Sequence, residues 1–144
     1  MIEIVRMSRE HLCEVAQIEQ LCFSDPWSVE SLELMLGEQA TGLVAIEDRK
    51  LLGYVGMICV LDEGQIVNVA THPDSRRRGV GRALMSAIEQ LAKDKGIVFL
   101  SLEVRESNSS ARSLYSSLGW VECGIRKNFY SKPTENACVM TKSI

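Results

Sequence analysis

No two cysteines in this sequence form a Cys-x-x-Cys pair, and its two histidines, His11 and His72, stand far apart. The spacings that hold zinc are missing, so no metal is expected. The five cysteines, Cys13, Cys22, Cys59, Cys123 and Cys138, are odd in number and do not read as a disulfide framework. They read as reduced thiols of a cytoplasmic protein. No apolar run reaches the roughly 20 residues that a bilayer demands, and no signal-peptide pattern opens the chain. No membrane partner is expected. With three prolines and no repeated or Gly/Ser-rich tract, the 144 residues offer no linker at which to divide. One domain over residues 1–144, acting as a monomer, is expected. Charge of one sign is also lacking: 16 basic residues face 19 acidic ones, a net charge of -3. Direct nucleic-acid binders are usually basic overall, so that class is set aside.

What the chain has is positive charge gathered in one place. Arg76-Arg77-Arg78-Gly79-Val80-Gly81-Arg82 follows an apolar run, Ile66 to Ala70, and a Pro73-Asp74 turn. It opens an amphipathic helix whose apolar residues are Val80, Leu84, Ile88 and Leu91. A strand, a basic glycine turn and a helix make an anion cradle. Glycine admits close backbone approach, the first helical N–H groups are unpaired, and arginines add charge-assisted hydrogen bonds. A cofactor bearing pyrophosphate is the expected ligand. The plain alternative is a solvated arginine run, or one that touches nucleic acid. A Walker loop is excluded because no Gly-Lys-Ser/Thr follows, and a dinucleotide fingerprint because only two glycines are present.

Periodicity and turn residues give the remaining elements. Ile2 to Arg6 reads as a strand. Ser8 caps a helix running to about Cys22, with Leu12, Val15, Ala16 and Ile18 inward. Ser28 starts a shorter helix. Gly42 to Glu47 and Leu51 to Leu61 form a hairpin about Asp48-Arg49, and Gln65 to Thr71 follows. The basic turn leads into a helix to Lys95, ended by Gly96. Ile97 to Val104 is an apolar strand, and Asn108 or Ser109 caps the next helix. Trp120 to Ile125 and Ala137 to Lys142 read as final strands, joined by a polar loop over Ser131 to Asn136. The order is β-α-α-β-β-β-α-β-α-β-β, an α/β (α+β) chain with one mixed sheet.

A second constellation runs Leu102-Glu103-Val104-Arg105-Glu106-Ser107-Asn108, then Ala111, Leu114, Tyr115 and Gly119-Trp120. Leu100, Leu102 and Val104 share one strand face, and Phe99, Ser101 and Glu103 the other. A carboxylate in so apolar a strand is costly unless paired, wet or functional. Pairing with an arginine is the alternative for Glu103, and core packing for Tyr115.

The spacing R-x-x-G-x-G at Arg76, Gly79 and Gly81 resembles the acyl-CoA-binding motif of the GNAT N-acetyltransferase superfamily. The run from Leu102 to Trp120 closely resembles the RimI-type ribosomal-protein-alanine N-acetyltransferases. So do Cys22-Phe23 with Pro26-Trp27-Ser28, Asn68-Val69-Ala70, Gly124-x-Arg126-x-x-Phe129-Tyr130, and Ala137-x-x-Met140. Two departures stand out. Thr71-His72 replaces a commoner apolar and acidic or small pair, and Phe129 stands where tyrosine is frequent.

The resemblance implies a GNAT fold: a mixed, mostly antiparallel seven-stranded sheet flanked by about four helices. It implies acetyl transfer from acetyl-CoA to an amine by direct attack in a ternary complex, with no metal. Glu103 is then the general base and Tyr115 the acid that protonates the departing thiolate, also touching the cofactor. The pantetheine arm lies along Val69, Ala70 and Thr71, whose backbone supplies an oxyanion donor. The pyrophosphate sits on Arg76, Arg77, Arg78, Gly79, Val80, Gly81 and Arg82, and Asn108 contacts the CoA arm. Trp27, Asn68, Phe129 and Tyr130 line a groove for a protein N-terminus, in the family that of a ribosomal protein starting with alanine. Core packing is the alternative for Trp27 and Phe129. For the whole chain, the alternatives are acetylation of a small amine or lysine side chain, and an idle acyl-CoA- or partner-binding module.

Overall fold

The computed structural model describes all of residues 1–144. Seven strands form one sheet: β1 (Glu3–Arg6), β2 (Ala40–Glu47), β3 (Lys50–Val60), β4 (Glu63–Thr71), β5 (Phe99–Arg105), β6 (Val121–Tyr130) and β7 (Glu135–Ser143). Their order across the sheet is β1-β2-β3-β4-β5-β7-β6. Every neighbouring pair is antiparallel except β4 with β5. Four helices flank it: α1 (Leu12–Cys22), α2 (Val29–Leu32), α3 (Val80–Asp94) and α4 (Ser109–Ser117). The element order is the one that the residue pattern predicts.

Alternation along the central strands assigns the two faces. Leu43, Ala45, Leu52 and Val55 pack with Val80, Leu84, Met85 and Ile88 of α3 and with Tyr115 of α4. Val44, Leu51 and Tyr54 pack with Leu12, Val15 and Ile18 of α1 and with Leu32 of α2. Both faces are covered, so β2 and β3 are nearly continuous apolar runs. Leu84 and Ile88 are fully buried. Each such side chain contributes roughly 1.5–3 kcal/mol of transfer free energy. No helix is long and apolar enough to cross a membrane.

Two local features differ from the expectation. Ser8 does not open α1 directly: a 3-10 turn, Arg9–His11, intervenes, and the Ser8 N–H donates to His11 Nδ1 at 3.0 Å. β6 runs on to Tyr130 instead of stopping at Ile125, and β7 begins at Glu135, so the loop between them is short. The Asp48-Arg49 turn is as expected, with φ of 52° and 66°, the left-handed pair that closes a two-residue hairpin.

The feature that positions a site is a fork. β4 and β5 pair in parallel only over Glu63–Ile66 and Phe99–Leu102. Beyond Ile66 a bulge leaves Val67 without a partner on β3, where Asn68 pairs with Gly56 and Ile66 with Met57. β5 meanwhile follows β7 as far as Arg105 opposite Ala137. The two strands diverge and open the sheet between them.

Candidate active site

The fork holds a cleft of about 800 Å³. Its walls are the diverging ends of β4 and β5, the segment from Cys22 to Trp27, the end of β6 with its turn, and α4. Of the residues expected to act, Glu103, Tyr115, Asn68, Val69, Asn108, Trp27, Phe129 and Tyr130 all line this one cleft. The fold gathers there residues that lie far apart in sequence, from Trp27 to Tyr130.

Glu103 lies on the β5 face that Leu102 and Val104 leave, as the alternation predicts. Its Oε2 accepts from Gln65 Nε2 at 3.1 Å, and its Oε1 stands 3.4 Å from Arg126 Nε. Gln65 sits in the last parallel-paired stretch of β4 and carries no motif, so nothing in the residue pattern marks it. Tyr115 is buried on α4, its ring centroid 6.2 Å from that of Trp120. Burial, with the neighbouring Tyr130 second, pushes its phenol up to about 12. Burial and the negative charge of Glu103 likewise push Tyr130 up to about 12. Tyr115 thus stays protonated across any physiological range, the state that a proton donor needs.

A phenol held near 12 when folded, against the ordinary 10, favours the fold fully below pH 10. That contribution is lost as pH climbs from about 10 to about 12. Tyr115→Phe removes one such group, so its thermal midpoint falls less steeply over that window than the wild type's.

Arg105 fixes the outer wall. Its guanidinium donates to the carbonyls of Pro133 at 3.0 Å and Ser131 at 2.9 Å and to Glu135 Oε1 at 3.0 Å. The same group lies 4.6 Å from the Tyr130 ring centroid. Glu135 Oε2 accepts the Ser107 N–H at 2.6 Å. The β6–β7 turn is thereby tied to β5, and Tyr130 is held over the cleft. Phe129 is 47% exposed and packs edge-on against Tyr130, centroids 5.0 Å apart, so core packing does not account for it. Trp27 is half-buried and leans on the α1–α2 core while facing the cleft.

On the opposite wall, Val69 and Thr71 stand opposite Val55 and Gly53 of β3. The Val69 N–H donates to Asn68 Oδ1 at 3.1 Å, and the Thr71 carbonyl accepts the Cys22 thiol at 3.2 Å. Below them the basic turn runs through Arg77 with φ of 65° and Gly79 with φ of 80°. Two left-handed residues in so short a stretch turn successive N–H groups toward one side. The first α3 bond is Ala83 N–H to Gly79 O at 3.0 Å, and Gly79 offers no side-chain cap. The N–H groups of Val80, Gly81 and Arg82 find no acceptor within the chain. A Cβ at Gly81 would stand 3.2 Å from Leu114 Cδ2 and 3.9 Å from Thr71 Oγ1. Glycine keeps a channel open there between α3, α4 and β4.

The arginines are not equivalent. Arg78 pairs with Glu47, away from the cleft. Arg82 reaches Ser117 Oγ at 2.9 Å, and Arg76 approaches Cys22 Sγ at 3.5 Å. Arg77 is exposed. Asn108 caps α4, its Oδ1 accepting the Ala111 N–H at 3.1 Å, while also lining the cleft. β4, which walls the cleft, ends at Thr71, shortly before the basic turn, and Gly81 lies beside Thr71 and Leu114 of α4.

The residue that the pattern missed is Glu19. It lies on α1 with no exposure and accepts the Tyr54 hydroxyl at 2.6 Å, the Asn68 amide at 2.6 Å and the Trp27 N–H at 2.8 Å. Burial pushes its carboxyl up, partly offset by the hydrogen bonds from Tyr54 and Trp27. Its one sequence signal is position: it falls on the buried stripe, four residues after Val15.

Residues 12–120 match the acetyltransferase (GNAT) family. A ribosomal protein bS18-alanine N-acetyltransferase of Haemophilus influenzae is 42% identical over 127 residues, 86% of each chain. The crystal structure of the ribosomal-protein-S18-alanine N-acetyltransferase from Escherichia coli superposes with a TM-score of 0.93 at 34% identity, covering 100% of this chain and 94% of that one. Ard1 from Thermoplasma volcanium gives 0.91 at 26% identity, covering 99% and 97%. A forked mixed sheet, a glycine-arginine cradle at the start of α3 and these likenesses converge: the chain belongs to the GNAT family and is an N-acetyltransferase.

Proposed function

We propose that the protein transfers the acetyl group of acetyl-CoA to the α-amine of a protein N-terminus, that of an alanine-starting small-subunit ribosomal protein. The observation that carries this is the shared cleft: Glu103 and Tyr115 line one cavity, and the strand that walls it, β4, leads in sequence to a turn whose N–H groups are unpaired. The relatives' activity on ribosomal protein bS18 supports the acceptor. The whole chain, residues 1–144, works as one monomeric domain in the cytoplasm, without direct contact to nucleic acid or membrane.

Each residue has one task. Glu103 takes the proton that the amine must lose; a free α-amine, with a pKa near 8, is mostly charged at neutral pH. The Val69 N–H donates to the oxygen on which negative charge develops, exchanging the Asn68 contact for it. Tyr115 returns a proton to the departing sulfur. The N–H groups of Val80, Gly81 and Arg82, with Arg76, Arg77 and Arg82, hold the pyrophosphate. Asn108 flanks the CoA arm. Trp27, Asn68, Phe129 and Tyr130 line the acceptor groove. No covalent acetyl-enzyme is needed, so the thiol of Cys22 takes no part.

Mass spectrometry after incubation with acetyl-CoA and mixed acceptors tests the assignment. One acetyl group on the α-amine of an alanine-starting ribosomal-protein peptide is expected. Modification of only lysines or polyamines overturns the acceptor, and acetyl-CoA binding without product points to an idle module. Tyr115→Phe is expected to lower turnover at least about ten-fold with the fold intact. Wild-type turnover would remove the tyrosine from the mechanism.

A further inference from the structure

Glu19 has no task in the chemistry above, yet it is among the most buried charged groups in the chain. Its partners are a hydroxyl, an amide and a backbone N–H, all neutral, with no cation in contact. A buried carboxylate is a poor means of stabilising a core, since an apolar residue of like volume commonly does as well or better. Its reason lies in what the partners do.

Two of the three line the cleft, and they come from different segments of the chain. Trp27 belongs to the segment after α1, and Asn68 to the free edge of β4. No backbone hydrogen bond joins residues 23–28 to β4. Glu19 bridges that gap, Oε1 to Trp27 and Oε2 to Asn68. It also orients the Asn68 amide: with the NH2 drawn to Glu19, Oδ1 is left facing the Val69 N–H at 3.1 Å. We infer that Glu19 is a positioning residue for the acceptor side of the cleft, holding the Trp27 segment against β4 and fixing Asn68. The inference rests on the reading of that groove as the acceptor site.

The test is steady-state kinetics of Glu19→Ala and Glu19→Gln with an acceptor peptide and acetyl-CoA varied in turn. In the glutamine variant the carbonyl oxygen still accepts from Tyr54 and Asn68. Its NH2 then faces the Trp27 N–H, donor against donor. The acceptor KM is expected to rise about ten-fold or more in the alanine variant and about three-fold in the glutamine variant. The KM for acetyl-CoA stays within about two-fold of wild type in both. Partial rescue by glutamine is the signature of positioning. The near-isosteric glutamine variant carries the test alone if the alanine variant does not fold. A lowered melting temperature with an unchanged acceptor KM in Glu19→Gln overturns the inference, as does an equal rise in both KM values. Absence of wild-type turnover on any N-terminal peptide is a different result, and removes the acceptor reading itself.

Discussion

Glutamate at position 81 is expected to abolish acetyl-CoA binding and leave the fold standing. Gly81 is the second residue of α3, where the helix presents unpaired N–H groups. A Cβ there meets only the ends of two side chains, Leu114 Cδ2 at 3.2 Å and Thr71 Oγ1 at 3.9 Å, and both can yield by tenths of an ångström. A carboxylate in the first turn suits the helix dipole, by about 0.3–1 kcal/mol, so the melting temperature should change little. For an anionic ligand the effect is opposite. The new carboxylate competes for the same N–H groups and repels phosphate. Like unit charges about 4 Å apart cost about 4 kcal/mol at an effective dielectric constant near 20. The affinity should fall by about 100-fold or more by titration calorimetry, since 1.4 kcal/mol is about ten-fold. Gly81→Ala, which adds bulk without charge, should lose far less. Unchanged affinity in the glutamate variant would move the pyrophosphate site elsewhere.

That experiment probes the part of the molecule most legible in the sequence. The basic turn announces itself because its ingredients are local: a strand, glycines, arginines and a helix follow one another within about twenty residues. The element order is equally local, and it comes through intact. What the chain hides is whatever depends on distant pairing. The fork exists because β4 leaves β5 after Ile66 while β5 stays with β7, a register set by residues seventy positions on. The far half of β6 is hidden for a different reason. Its pairing with β7 skips between Arg126 and Tyr130, with Asn128 at a φ of 54°, and the interruption breaks the period-two signal.

Side-chain roles divide the same way. Glu103 could be placed because strand alternation gives its face. Gln65 could not, since only the short parallel pairing brings it to that carboxylate. Arg105 belongs to a motif, but its partners Ser131, Pro133 and Glu135 lie beyond the next helix and strand. Asn68 is legible as a groove residue, whereas its anchor, Glu19, shows in the sequence only as a carboxylate on an apolar stripe.

Glu103→Gln should lower turnover at neutral pH by about 100-fold or more while both substrates still bind, within the range that general base catalysis supplies. The substitution keeps the shape of the side chain, and its carbonyl oxygen can still accept from Gln65. It removes the lone capacity that the reaction uses, acceptance of a full proton from the attacking amine. The wall around it is otherwise unchanged, because Arg105 holds the β6–β7 turn without help from Glu103. The residual rate then depends on amine that has lost its proton in solution. It should climb with pH through the α-amine's pKa near 8 and level off once the amine is mostly neutral, near pH 9. The wild type should show a far weaker dependence there. A kcat profile of both enzymes from pH 6 to 9, with circular dichroism to verify the fold, distinguishes the outcomes. Wild-type turnover for Glu103→Gln at pH 7 would leave the carboxylate only its contacts with Gln65 at 3.1 Å and Arg126 at 3.4 Å, and the proton would have to leave by another path.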